Sequence, residues 1–281
     1  MSELQKRILT AIIGISVFAF CIFYNAYTYF GLFLVLSSFC LWEFYCTLKR
    51  SNKEGLNVSL FPSFILHIIY YASFFFLYCD CILSGQFFIP ANSAILIFVL
   101  GVFILVIIEL FKKSENPFLN IGMSVLGFVY ITFPFAIMHF IAIKDIYEPW
   151  KIMSIFIMIW SNDTFAYFSG RLMGKHKLFE RLSPKKTWEG FIGGMLFSLV
   201  AAYILYQFVG IYSLTIWLLL SLVISVFGTL GDLVESMLKR SLQIKDSGGS
   251  LPGHGGFLDR FDSFIFALPF VYGLLYLVDI L

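Results

Sequence analysis

Charge is what this sequence has least of: Asp, Glu, Lys and Arg make up 13% of its 281 residues. A chain so poor in charge cannot cover itself with a solvated surface, which excludes an ordinary water-soluble domain. The net charge of +2 offers no strong field for nucleic acid. Cysteine is also scarce. Cys21, Cys40, Cys46, Cys79 and Cys81 show neither the C-x-x-C spacing of a zinc site nor an even disulfide set, so they read as apolar fillers. The four histidines are scattered, and His67 and His139 fall in apolar runs as hydrogen-bonded core residues rather than ligands. Two phosphate and cation motifs are absent. The stretch Gly170 to His176 has the wrong spacing for a Walker A loop, and Asp246 to Ser250 has a single acid where an EF-hand needs alternating ones. No internal repeat is evident, and the polar loops at 47–59 and 80–92 are too short for an appended soluble domain.

Hydrocarbon takes up the difference. Sixty per cent of the residues are apolar, with 35 phenylalanines that suit a lipid-facing surface. A spanning helix needs about 20 mainly apolar residues, and such runs lie near 8–25, 28–46, 60–79, 93–111, 119–142, 150–168, 190–210, 214–231 and 263–281. The expectation is an all-α, polytopic integral membrane protein of about nine spans, forming one membrane domain. Residues 1–148 would supply five spans, and 149–281 would supply four with the loops 169–189 and 232–262. The first run follows Lys6-Arg7 like a signal sequence, but no small-x-small cleavage site follows it, so it reads as an uncleaved span. Basic residues concentrate in cytoplasmic loops. With a cytoplasmic N-terminus, every Lys and Arg except Lys144 and Lys151 faces inward. Glu43 and Glu109 fall near the inner ends of their spans, where snorkelling to the interface is the expected account.

The most polar stretch runs from Ser236 to Asp262 and reads SMLKRSLQIKDSGGSLPGHGGFLDRFD. It combines Lys239, Arg240, Lys245 and Arg260 with Asp246, Asp259 and Asp262, around the glycines 248, 249, 253, 255 and 256. Successive glycines let backbone N–H groups converge on an anion, and Lys and Arg add charge for phosphate oxygens. Carboxylates beside such a nest repel phosphate unless a cation lies between them, and Mg²⁺ prefers a few carboxylates plus substrate phosphates. The composition therefore describes a phosphate and metal site. Asp232, Ser236, Lys239 and Gln243 follow at i, i+4, i+7 and i+11, so Asp232 joins that site if the eighth span continues as a helix.

A second constellation closes the sixth span. Asp163, Tyr167, Gly170 and Arg171 share one helical face as the chain leaves the membrane, where an acid is more often functional than incidental. In the segment Leu182 to Gly190, Pro184 suits a helix start with Ser183 as its cap, and Lys185 and Lys186 come where phosphate meets free backbone N–H groups. Gly190 and Gly194 form a G-x-x-x-G, expected to mean close helix packing.

The order Ser236, Lys239-Arg240, Lys245-Asp246, Gly248, Leu251-Pro252, His254-Gly255-Gly256, Asp259-Arg260, Asp262 resembles the signature of the phosphatidate cytidylyltransferase (CDP-diacylglycerol synthase) family. Upstream, Asp163, Ala166, Tyr167 and Gly170 match its D-x-x-A-Y-x-x-G, and Ser183, Pro184, Lys186, Thr187, Glu189 and Gly190 match its S-P-x-K-[ST]-x-E-G. The resemblance covers about residues 160–262. Phe165 departs from it, standing where such sequences commonly have glycine.

The resemblance implies a polytopic membrane enzyme that joins CTP to phosphatidic acid with Mg²⁺, giving CDP-diacylglycerol and pyrophosphate. It would lie in the inner (plasma) membrane with its active site toward the cytoplasm. A second cation and a homodimer are left open. The reading assigns metal binding to Asp232 and Asp259, with Asp246 and Asp262 as further ligands or as orienters of the basic residues. The alternative role of these acids is salt bridging to Lys239, Arg240, Lys245 and Arg260. Ser236 and Lys239 complete the catalytic set, with His254 as a phosphate donor or loop-fixing residue. Substrate binding falls to Asp163, Tyr167, Arg171, Ser183, Lys185, Lys186, Thr187, Glu189, Arg240, Lys245, Gly248, Gly255, Gly256 and Arg260. Two other functions compete. A CTP-dependent polyprenol or phytol kinase would share the architecture, and a transporter or flippase would place its charges near the bilayer midplane.

Overall fold

Where water is missing a backbone must satisfy its own N–H and C=O groups, and a helix does so within one segment. The computed structural model describes residues 3–50, 58–76, 92–143, 146–244, 248 and 255–280, and among them the apolar runs form helices. These are α1 (Glu3–Tyr24), α2 (Ala26–Arg50), α3 (Leu60–Phe74), α4 (Asn92–Phe111) and α5 (Pro117–Ala142). There follow α6 (Pro149–Met173), α7 (Trp188–Val209), α8 (Leu214–Ser241) and α9 (Leu258–Ile280). The sheet among the described residues is one small hairpin, β1 (Lys177–Phe179) with β2 (Ser183–Thr187). By length and apolarity α2, α5, α7, α8 and α9 can each cross a membrane. The fold is an all-α membrane architecture.

The chain divides into two compact units. The first holds residues 1–149 together with 246–258, and the second holds 150–245 and 259–281. In the first unit, α5 carries a π turn at Phe128–Thr132, just before Pro134. Proline lacks an N–H, so the helical ladder must adjust there, and a π turn absorbs the change. His67 bonds Thr132 Oγ1 at 2.9 Å through Nδ1 and meets Ser37 and Ser38 through Nε2, as a hydrogen-bonded core residue should. His139 lies edge-on to Tyr29 and Tyr71.

The snorkelling expectation for Glu43 and Glu109 is overturned, since they are 2% and 4% exposed. Both find donors inside the protein, which removes the need to reach water. Glu109 accepts from Ser59, Ser114 and Asn120, with Lys112 at 3.7 Å, and Glu43 accepts the Leu258 N–H at 2.9 Å.

In the second unit, glycine sets the helix spacing. A Cβ on Gly190 would stand 2.8 Å from the Ala166 carbonyl oxygen, and one on Gly194 2.6 Å from that of Asn162. The G-x-x-x-G is thus the seam of α7 against α6. Gly231 likewise lets α8 reach α9, where a Cβ would meet the Asp262 carbonyl oxygen at 2.7 Å. The helix start expected at Ser183-Pro184 is corrected. Those residues belong to β2, paired antiparallel with β1, and Thr187 is the cap of α7, its Oγ1 accepting the Gly190 N–H at 3.2 Å. Strand pairing takes up the backbone that a helix at Pro184 would have used. The helical face drawn through Gln243 also stops short, because α8 ends at Ser241 and Gln243 turns to φ 57°.

Candidate active site

Six elements of the second unit, α6, β1, β2, α7, α8 and α9, converge on a cleft of about 670 Å³. With 28 residues α8 is about 42 Å long at 1.5 Å per residue, longer than a hydrocarbon core of about 30 Å. Its charged end, from Asp232 onward, therefore runs past the apolar stretch. The walls carry five acids and five bases. Asp163 and Arg171 come from α6, Lys185 and Lys186 from β2, Asp232, Glu235 and Lys239 from α8, and Asp259, Arg260 and Asp262 from the first two turns of α9.

The charges are arranged in two linked groups. Carboxylate oxygens of Asp232, Glu235 and Asp262 lie within 4.8 Å of one another. At that separation each pair of full charges repels by about 3 kcal/mol, taking an effective dielectric of 20. Lys186 forms an ion pair with Asp232, and Ser236 donates to the same carboxylate at 3.4 Å. Lys239 bridges Glu235 at 2.6 Å and Asp259 at 2.8 Å. Asp262 accepts the Ser263 N–H at 2.6 Å, and no ion pair to it is present among the described residues. Burial, followed by Asp259 and Asp262, pushes the Glu235 carboxyl up from its ordinary range despite Lys239. Its Oε1 is buried without a hydrogen-bond partner. Three carboxylates with an orphaned oxygen form an all-oxygen donor set of the kind that suits a hard divalent cation.

The residues singled out in the sequence fall into four sets. Asp163, Tyr167, Arg171, Lys185, Lys186, Thr187, Asp232, Lys239, Asp259, Arg260 and Asp262 all line the cleft. Ser183, Glu189, Ser236 and Arg240 do not. Glu189 faces the hairpin, where its own N–H, the His176 ring at 2.6 Å and the Lys175 N–H at 3.0 Å hold its carboxyl at about 2. Gly248, Gly255 and Gly256 belong to the first unit, with Gly255 at φ 85° as only glycine readily adopts. Lys245, Asp246 and His254 lie outside the described residues. Glu235 is the acid the sequence reading passed over, although its i, i+3 spacing from Asp232 on α8 was visible. Phe165 does not enter the cleft. It stacks on Phe197 of α7 with ring centroids 3.6 Å apart, so the departure from glycine serves helix packing.

The model of the cytidylyltransferase family matches residues 5–278 of the chain. Among curated relatives, the chain is 38% identical over 281 residues to a phosphatidate cytidylyltransferase of Bacillus subtilis, covering 98% of both chains. It is 46% identical over 169 residues to that of Staphylococcus haemolyticus and 43% identical over 169 residues to that of Staphylococcus saprophyticus. In each staphylococcal case the match takes in 59% of this chain and 64% of the relative.

Proposed function

The chain belongs to the cytidylyltransferase family, and from that premise we propose that it joins CTP to phosphatidic acid, releasing CDP-diacylglycerol and pyrophosphate. The observation that carries this reading is the cleft itself. A charged cavity at the end of spanning helices, with as many bases as acids, suits a nucleoside triphosphate arriving from water and a phospholipid arriving along the bilayer. The lipid supplies its own nucleophile. A phosphate monoester has a second pKa of about 6, so at neutral pH it is mostly dianionic and needs no strong base. One of its oxygens attacks the α-phosphorus of CTP, the bond from that phosphorus to the bridging oxygen breaks, and pyrophosphate leaves with the electron pair.

The residues divide the work by charge. Arg171, Lys185 and Arg260 neutralise phosphate oxygens, Arg171 presenting its guanidinium 3.3 Å from the Tyr167 hydroxyl. Lys239, held between Glu235 and Asp259, is fixed for the charge that builds on the departing β,γ-unit. Lys186 shields Asp232 from the triphosphate. Asp232, Glu235 and Asp262 fit Mg²⁺, the unpartnered Oε1 of Glu235 being one donor. When bound, such an ion screens triphosphate charge and draws electrons from phosphorus.

The same reading places the chain as a nine-span protein of the inner membrane, its N-terminus and the cleft toward the cytoplasm. The partition of Lys and Arg supports that orientation. The test is nucleotide dependence. Purified protein with phosphatidic acid in detergent should make lipid product with CTP in equal amount to pyrophosphate. With a polyprenol supplied alongside, accumulation of CDP and the phosphorylated polyprenol would favour the kinase instead.

A further inference from the structure

Gly248 and Leu258, on either side of the signature's glycines, both meet a helix from the far end of the sequence. Glu43 on α2 is 2% exposed, and its Oε2 accepts the Leu258 N–H at 2.9 Å. Leu258 is the first residue of α9, where a backbone N–H has no acceptor within the helix. Glu43 thus caps α9 from another helix, and an anion is favoured at that end. One turn earlier on α2, the Phe39 ring stacks on Phe257 with centroids 4.8 Å apart and planes 15° from parallel. Glu43 also meets the loop near its start. A Cβ on Gly248 would stand 2.6 Å from Glu43 Oε1, and that oxygen is buried with no hydrogen-bond partner.

We propose that Glu43 is a positioning residue, holding the backbone at Gly248 and at Leu258, the first residue of α9. A side chain kept only for packing would be served as well by Leu and would not require glycine opposite it. Here the missing Cβ of Gly248 and the carboxylate occupy complementary space. Glu43 acts through these two backbone positions, without touching substrate.

The test uses the activity proposed above as its readout and rests on that reading. An inactive wild-type protein would count against the reading, whereas the inference is judged on variants of an active one. Glu43→Gln keeps an acceptor oxygen for Leu258 and should stay within about threefold of wild type, while Glu43→Ala should lose about tenfold or more in kcat/KM. The KM for CTP should rise, which a smaller folded fraction would leave unchanged. Gly248→Ala alone should be impaired, and Glu43→Ala/Gly248→Ala no worse than Glu43→Ala, because the clash has gone. Multiplicative losses in the double variant, or Glu43→Gln as damaged as Glu43→Ala, would overturn the inference. Should Glu43→Ala fail to fold, the shorter acid in Glu43→Asp/Gly248→Ala must outperform Gly248→Ala alone, and equal or worse activity sinks the idea.

Discussion

Replacing Glu235 by Gln preserves volume and removes one of three carboxylates packed within 4.8 Å. If the trio binds the cation that CTP needs, turnover should fall by about 100-fold or more. Near-normal turnover would remove Glu235 from the site. Asp262 predicts the opposite sign for stability. It is 7% exposed, and Asp232 and Asp163 add like charge nearby, while the Ser263 N–H can donate equally well to an amide oxygen. Asp262→Asn should therefore melt higher than wild type in EDTA while losing activity, as expected where function maintains repulsion. A lower melting temperature in EDTA would contradict the repulsion. At this scale the sequence was readable wherever helical spacing was followed from the correct start. Asp163, Tyr167 and Arg171 could be placed on one face, but tracing α8 through Ser236 and Lys239 missed Glu235, whose burial depends on α9 lying against Gly231.

The helices of the second unit are spaced by backbone contact rather than by side chains, since lipid supplies no hydrophobic force between them. Gly194→Val would drive a side chain into the Asn162 carbonyl and should cost about 1–3 kcal/mol, read as a lower melting temperature in detergent. Gly31→Ala is the control. Nothing lies within 4 Å of the Cβ it would add, and alanine favours the helix, so its melting temperature should hold or rise. Equal effects of the two would refute the close-packed seam. Elements of this kind were legible from residue spacing, as the G-x-x-x-G was. The start of α7 was not, because Ser183-Pro184 carries the local signal of a helix start while pairing with β1 decides the outcome.

Over the whole molecule the division of basic residues is the ground for the proposed orientation. Single-cysteine reporters in a cysteine-free background should label from the cytoplasm at positions 51 and 114 and from the opposite side at position 84. Positions 51 and 114 on opposite faces would break the nine-span arrangement. The architecture could be read from composition because apolar length alone selects helices in lipid. The hold of Glu43 on Leu258, 215 positions away, could not, since no local pattern encodes it. The most direct test of the central claim follows where each phosphorus goes. With CTP carrying ³²P at the α position and ³³P at the γ position, and phosphatidic acid as acceptor, the ³²P should pass into the lipid phase while all ³³P stays in water as pyrophosphate. Recovery of ³³P in lipid with ³²P left in water as CDP would contradict it.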